Sequence, residues 1–253
     1  MRSLDTDKFI CIDCESTGLN TKSDQIIELA AVIFTFNEII DTFDTLINPR
    51  CLIPEDSKNI HNISQDMVKN KPFIEKILPQ FLKFVGKDIT IVGHGILFDI
   101  EIISNAAQTH QIPCNILSMS YIDTLRLARL YGESPANSLQ NLRKHFNIEE
   151  ERAHRAMDDV LVNIEVFKYL TQSYKTKDDI LQRLKKPIRL KRMPLGKYKG
   201  RRFEDIPLEY LFWAAKQDFD QDLLFSLRTE INKRKKGSPF QQAGNPFINI
   251  FDK

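Results

Sequence analysis

No apolar run in the 253 residues approaches the roughly 20 needed to cross a bilayer. The stretch from Met1 to Phe9 carries Asp5 and Asp7 where a signal peptide would need apolar residues. These absences predict a cytoplasmic protein without a membrane partner. Cysteine is scarce too: Cys11, Cys14, Cys51 and Cys114 are too few and too scattered for a disulfide framework, so reduced thiols are expected. Cys11 and Cys14 form a C-x-x-C, but they fall in an apolar run that reads as a strand, where residues three apart point to opposite faces. Buried thiols, not a zinc or redox pair, are the expectation. No internal repeat is apparent. What remains is ordinary globular composition, 42% hydrophobic and 28% charged, with length for one large domain and a smaller one.

The net charge of +2 conceals a division. Residues 1–174 hold 17 Lys+Arg against 24 Asp+Glu, a balance of −7, whereas residues 175–253 hold 19 against 10, a balance of +9. A basic appendage on an acidic body suits an appendage that meets a polyanion and a body that concentrates metal-binding carboxylates. A soluble basic face is the plainer alternative.

Along the first 174 residues strand-like and helix-like segments alternate. Lys8–Asp13, Gln25–Thr35 and Ile39–Ile47 read as three sequential strands of a meander. Pro54–Ile60 and Pro72–Val85 read as helices, Asp88–Gly93 as a fourth strand and Leu97–Gln108 as an amphipathic helix. Leu117–Ile122 reads as a fifth strand, followed by helices ending near Gly132, over Leu139–Phe146 with Ser138 as cap, and over Met157–Tyr174. This order predicts an α/β fold with a mixed sheet flanked by helices. The predicted organisation is a domain over 1–174, a basic linker over 175–192, a small mainly helical basic domain over 193–236 and a flexible tail over 237–253. Between 183 and 203 stand ten basic residues and no acidic one.

Asp13 and Glu15 close the first apolar run. Two apart on a strand, they project from one face and can reach one metal cluster. Asp99 follows the Gly93-His94-Gly95 turn and falls in the first turn of a helix, where an acid could equally serve the helix dipole. In Ala153-His154-Arg155-Ala156-Met157-Asp158-Asp159, a continuous helix would put Asp158 on the face of His154 and turn Asp159 away by 140°. If His154 instead sits on a loop and the helix begins near Ala156, Asp159 projects beneath it. Periodicity leaves both open.

These residues resemble the DEDDh family of 3′-5′ exonucleases, which includes the epsilon proofreading subunit of bacterial DNA polymerase III. Asp13-Cys14-Glu15-Ser16-Thr17-Gly18 resembles its first motif, D-x-E-T/S-T-G. His94-Gly95-Ile96-Leu97-Phe98-Asp99 resembles the second, H-N-x-x-F-D, and His154 to Asp159 the third, H-x-A-x-x-D. Gly95 stands where the family has Asn, and Asn62 where it has Gly. The stretch from Ile53-Pro54 to His61-Asn62-Ile63-Ser64, with Asp123-Thr124-Leu125, is similar to secondary signatures, so the likeness covers about 7–172.

The resemblance implies a ribonuclease-H-like fold, with Asp13, Glu15, Asp99 and Asp159 as metal ligands and His154 as general base. Such oxygen ligands imply two Mg²⁺ or Mn²⁺ ions. Thr17, Gly18, Leu19, His61 and Phe98 are implied to line the substrate pocket; His94, His110 and His145 read as structural or surface residues. The implied activity releases nucleoside 5′-monophosphates from single-stranded or frayed DNA ends, in proofreading or repair. The alternatives are an RNA 3′-end trimming exoribonuclease and a non-catalytic nucleic-acid or replisome adaptor. A polymerase or sliding clamp is the implied protein partner.

Met193-Pro194-Leu195-Gly196-Lys197-Tyr198-Lys199-Gly200 through Trp213 resembles a small uncharacterised domain with a G-K-Y-K-G core. Helical packing predicts Leu211, Phe212 and Trp213 in its core. Gln221-Asp222-Leu223-Leu224-Phe225 loosely resembles a clamp-binding pentapeptide, but the helical apolar pattern reads it as core.

Overall fold

The computed structural model describes residues 4–132, 136–149 and 155–236. Two compact units divide the chain, residues 1–185 and 186–253.

In the first unit β1 (Phe9–Ser16), β2 (Ile26–Phe34) and β3 (Ile39–Leu46) form the expected antiparallel meander. After the short helices α1 (Glu55–His61) and α2 (Gln65–Val68) comes α3 (Ile74–Val85), and then β4 (Thr90–Gly93). The chain continues through α4 (Leu97–Thr109), β5 (Tyr121–Asp123), α5 (Thr124–Tyr131), α6 (Leu139–His145) and α7 (Ala156–Thr171). Sheet order is β3-β2-β1-β4-β5, with β4 and β5 parallel to β1.

Alternation along β1 assigns its two faces. Ile10, Ile12 and Cys14 join the core built with α3 and α4. Phe9 and Cys11 face α7: the Phe9 and Phe167 ring centroids are 5.1 Å apart, and Cys11 Sγ lies 3.7 Å from the Val160 carbonyl. The two cysteines are free, buried and on opposite faces, as expected from strand geometry. Because β2 is covered on both sides, its Ile26–Phe34 run is almost continuously buried.

Four local expectations are corrected. The fifth strand is confined to Tyr121–Asp123, with Ile116–Ser118 forming a 3-10 turn ahead of it. Ser138 stands at the N-cap of α6 but makes no side-chain cap bond; its Oγ accepts from Asn141 Nδ2 instead. The stretch assigned to a linker contains α8 (Lys177–Leu184), started by a reciprocal cap between Thr176 and Asp179. In the second unit, α9 (Leu208–Ala214) and α10 (Gln221–Lys236) enclose Leu211 but not its aromatic neighbours: Trp213 is 52% exposed and Phe212 36%. A seven-residue helix in so small a unit buries one face, here Leu211 and Ala214.

The clamp-like pentapeptide forms the opening turns of α10, with Leu223 fully buried and Asp222 accepting the Ile188 N–H, whereas Phe225 is 40% exposed; the core reading holds for Leu223 and not for Phe225. The tail from Gly237 lies outside the described residues. No helix among the described residues is long and apolar enough to cross a membrane.

Candidate active site

Strand β4 pairs with β1 only over Phe9–Cys11, so Asp13 and Glu15 extend past its end. They share the α7 face with Phe9 and Cys11. Helix α7 begins at Ala156 with Arg155 as N-cap, which places Asp159 in its first turn. Carboxylate oxygens of Asp13, Glu15 and Asp159 lie within 4.8 Å of one another, the one such metal-competent group among the described residues. Asp158 does not belong to it. The helix start at Ala156 is the condition under which Asp159 projects toward the strand pair. His154 lies outside the described residues.

Asp99 reaches the site from the other side of the sheet, in the first turn of α4. Its Oδ1 accepts from the Cys14 backbone N–H and thiol, both at 3.0 Å. Cys14 thus fixes Asp99 beside the three-carboxylate group. The preceding turn is built for this delivery: Gly95 has φ +71°, and its N–H donates to Asp123 Oδ1 at 3.0 Å. Glycine takes such a φ without strain, so Gly95 suits the turn found here. Asn62 takes φ +58° as the C-cap of α1, a left-handed conformation that Asn tolerates better than most non-glycine residues.

The carboxylates repel. Burial and then the charge of Asp159 push Glu15 up to about 8. Burial, followed by Asp99, Glu15 and Asp159, raises Asp13 well above the usual carboxylate range. Burial lifts Asp99 to about 7 against the two bonds from Cys14. Such crowding disfavours the triply ionised site and is relieved by a cation. The donor set, all hard oxygen, fits a magnesium-like ion better than zinc.

Glu28 completes the surroundings and was not among the candidates drawn from sequence. It lies directly opposite Glu15 in the β1–β2 register and is fully buried. Its carboxylate accepts from Arg155 Nε at 2.9 Å, from an Arg155 terminal nitrogen, and from the Ala156 N–H at 3.1 Å. It therefore ties β2 to the start of α7, and with it Asp159. The available signal was an acid inside the otherwise apolar run Ile26-Ile27-Glu28-Leu29-Ala30-Ala31.

The other candidates have distinct settings. Thr17 is buried, its Oγ1 accepting from Gln25 N and donating to Asp24, while its carbonyl accepts from Ser57. A Cβ at Gly18 would meet the Asp24 carboxylate at 2.6 Å, so a larger residue would have to displace the acid that accepts from Thr17 and Asn20. Leu19, next along it, is 87% exposed. Phe98 is half-buried against the α3–α4 core. His61 is buried; Nδ1 accepts the Ile63 N–H at 3.0 Å, and Nε2, left with the proton, has no partner among the described residues. His94 Nδ1 lies 3.0 Å from Thr124 Oγ1, which also contacts Gly93 O and Asn163 Oδ1, a structural setting.

Compared with known proteins, the chain matches a family model described as exonuclease over residues 10–167. A second model, described by the words quorum-sensing-regulated virulence factor, matches residues 179–230. The chain is 35% identical over 160 residues to DNA polymerase III subunit epsilon of Aquifex aeolicus, covering 63% of this chain and 78% of that one. For the epsilon subunit of Treponema pallidum the figures are 36% over 162 residues, 63% and 74%. DNA polymerase III PolC-type of Clostridium perfringens is 34% identical over 181 residues, which is 69% of this chain but only 12% of the relative. Among solved structures, exonuclease X in complex with 5′ overhanging duplex DNA aligns with TM-score 0.55 and 23% identity, over 69% of this chain and 98% of that one. E. coli exonuclease I in complex with a dA16 oligonucleotide aligns with TM-score 0.61 and 19% identity, over 71% and 43%. These structures share the ribonuclease-H-like mixed sheet flanked by helices.

Proposed function

The chain belongs to the exonuclease family, and from that premise we propose that it is a DEDDh-type, metal-dependent 3′-5′ exonuclease releasing nucleoside 5′-monophosphates from single-stranded or frayed DNA ends. The observation that carries this reading is the meeting of Asp13 and Glu15 from β1 with Asp159 from α7 inside 4.8 Å. Proofreading or repair is the setting, with a polymerase as partner, since the epsilon relatives are named as polymerase subunits.

Asp13, Glu15 and Asp159 would hold two Mg²⁺ or Mn²⁺ ions, with Asp99 supporting the cluster. When bound, such ions stabilise the attacking and leaving oxygens of an in-line displacement at phosphorus. The protein's own groups do the rest. His154 takes the proton of the attacking water, a role given by its place in the third motif and suited to an imidazole. Glu28, through Arg155 and Ala156, sets where Asp159 projects. His61 Nε2–H, a buried donor with no partner among the described residues, is available to a substrate oxygen. Leu19 and Phe98 supply apolar surface for the terminal base, and the Thr17–Gly18 backbone shapes the loop beside it.

End-labelled single-stranded DNA and RNA, incubated with Mg²⁺ or with EDTA, test the reading. Asp13→Ala and Asp159→Ala should abolish mononucleotide release and Asp158→Ala should not. Equal loss in the Asp158 and Asp159 variants would refute the assigned carboxylate. RNA cleaved in preference to DNA would select the trimming reading, and an inert wild type the adaptor.

A further inference from the structure

We propose that the aromatic strip Tyr198–Tyr210–Trp213 of the second unit, which opens to solvent at Trp213, is a stacking platform for single-stranded nucleic acid, with the surrounding lysines and arginines gripping the phosphates. The inference uses the exonuclease reading only in taking nucleic acid as the substrate class.

Tyr210 and Trp213, three apart on α9, share a helix face adjoining the buried one. Their ring centroids are 5.1 Å apart, and Tyr198 stands edge-on to Tyr210 at 4.7 Å. Trp213 is 52% exposed, while Tyr198 and Tyr210 are half-buried against the unit's core, which holds their rings in place beside it. A free tryptophan face beside two tyrosines offers π-surface that any base can stack on.

The G-K-Y-K-G loop explains how cations come to surround it. Gly196 has φ +72°, and a Cβ there would fall 2.9 Å from the Tyr210 hydroxyl, so glycine lets the loop close onto the strip. Gly200, at φ +83°, donates its N–H to Met193 O and turns the chain back. Between and beside these turns, Lys197 and Arg201 lie over the Tyr198 ring at 5.6 and 5.5 Å.

The charge favours a polyanion over an apolar partner. Arg192 and Arg202 face each other across an antiparallel bridge. Arg192 donates to the Gly200 carbonyl at 2.8 Å and Arg202 pairs with Glu204 at 3.3 Å, which leaves each five-donor guanidinium with N–H groups to spare for a phosphate. Together with Arg189 they line a cleft of about 450 Å³, whose acids are already engaged: Glu230 with Arg189 and Arg234, Glu204 with Arg202. The basic run over 183–203 supplies the same sign along the whole segment.

Trp213 is the chain's one tryptophan, so intrinsic fluorescence reports on the strip directly. The full chain carrying Asp13→Asn, to block cleavage, is titrated with oligothymidylate at low salt. Saturable quenching of Trp213, reversed by added salt, is the expected result. Trp213→Ala should weaken binding of a labelled oligothymidylate about tenfold, as loss of one stacking aromatic does. Lys197→Glu with Arg201→Glu, which keeps the reporter, should weaken it at least as much while circular dichroism stays that of the parent. Unchanged Trp213 emission at saturating oligonucleotide, or full affinity in the charge-reversed protein, would overturn the proposal. So would quenching by polyglutamate alone, which would make the strip a protein-docking face. Cleavage by wild type with an unresponsive Trp213 sinks the platform but not the exonuclease reading; quenching without cleavage does the reverse.

Discussion

Glu28 and Glu15 are paired like charges across β1 and β2, an arrangement that would be unfavourable were Glu28 not committed to Arg155 and the first N–H of α7. The same bonds make Glu28 a positioning residue for Asp159. Glu28→Gln keeps the shape but loses the charge that holds the guanidinium. Its kcat should fall about 10–100-fold, as for other groups that orient metal-binding side chains. The KM for oligonucleotide should stay near wild type, and the Mn²⁺ concentration giving half-maximal rate should rise. An unchanged Mn²⁺ requirement would mark Glu28 as merely structural. Nothing in the sequence motif announces this residue, because its partners are 127 and 128 positions away. Asp13 and Glu15 were legible for the opposite reason: strand alternation alone puts them on one face.

At the scale of elements, the strands and most helices of the first unit were readable from period, whereas the ends of β1 and β5 and the short helices α2 and α8 were not. Strand β1 runs on to Ser16 because β2 still pairs with it there, whereas β5 is short because only β4 partners it. Trp213 misled because a helical apolar pattern does not say how many faces a short helix can bury. Helix α8 went unread within a charged stretch, although the Thr176–Asp179 cap was present in the sequence. Among the elements that were read, β4, α5 and α7 meet at His94, Thr124 and Asn163. Burial holds His94 down to about 4. An imidazole with an ordinary pKa near 6.5 when unfolded therefore contributes stability that is complete above pH 6.5 and is lost as pH falls through 4. His94→Gln, without a titrating ring, should show a smaller drop in Tm between pH 7 and pH 4 than wild type. Parallel thermal melts across that window check it, and coincident slopes would contradict the assignment.

Over the whole molecule, the carboxylate site belongs to an acidic unit and the aromatic strip to a basic one. If the basic unit grips phosphates, kcat/KM on single-stranded DNA should fall steeply with salt in the full chain. It should fall less steeply in a chain ending at Lys185, by about 0.7 in log–log slope for each phosphate no longer neutralised. Equal slopes would place the phosphate-binding cations in the first unit. The thiols are distributed to a different effect. Cys51 is exposed, while Cys14 is buried and its thiol is pushed well up, first by burial and then by Asp99 and Asp13. A thiol kept protonated is a poor nucleophile. Alkylating and oxidising reagents should therefore spend themselves on Cys51 before reaching Cys14, and the hydrogen bond that seats Asp99 carries its own chemical protection.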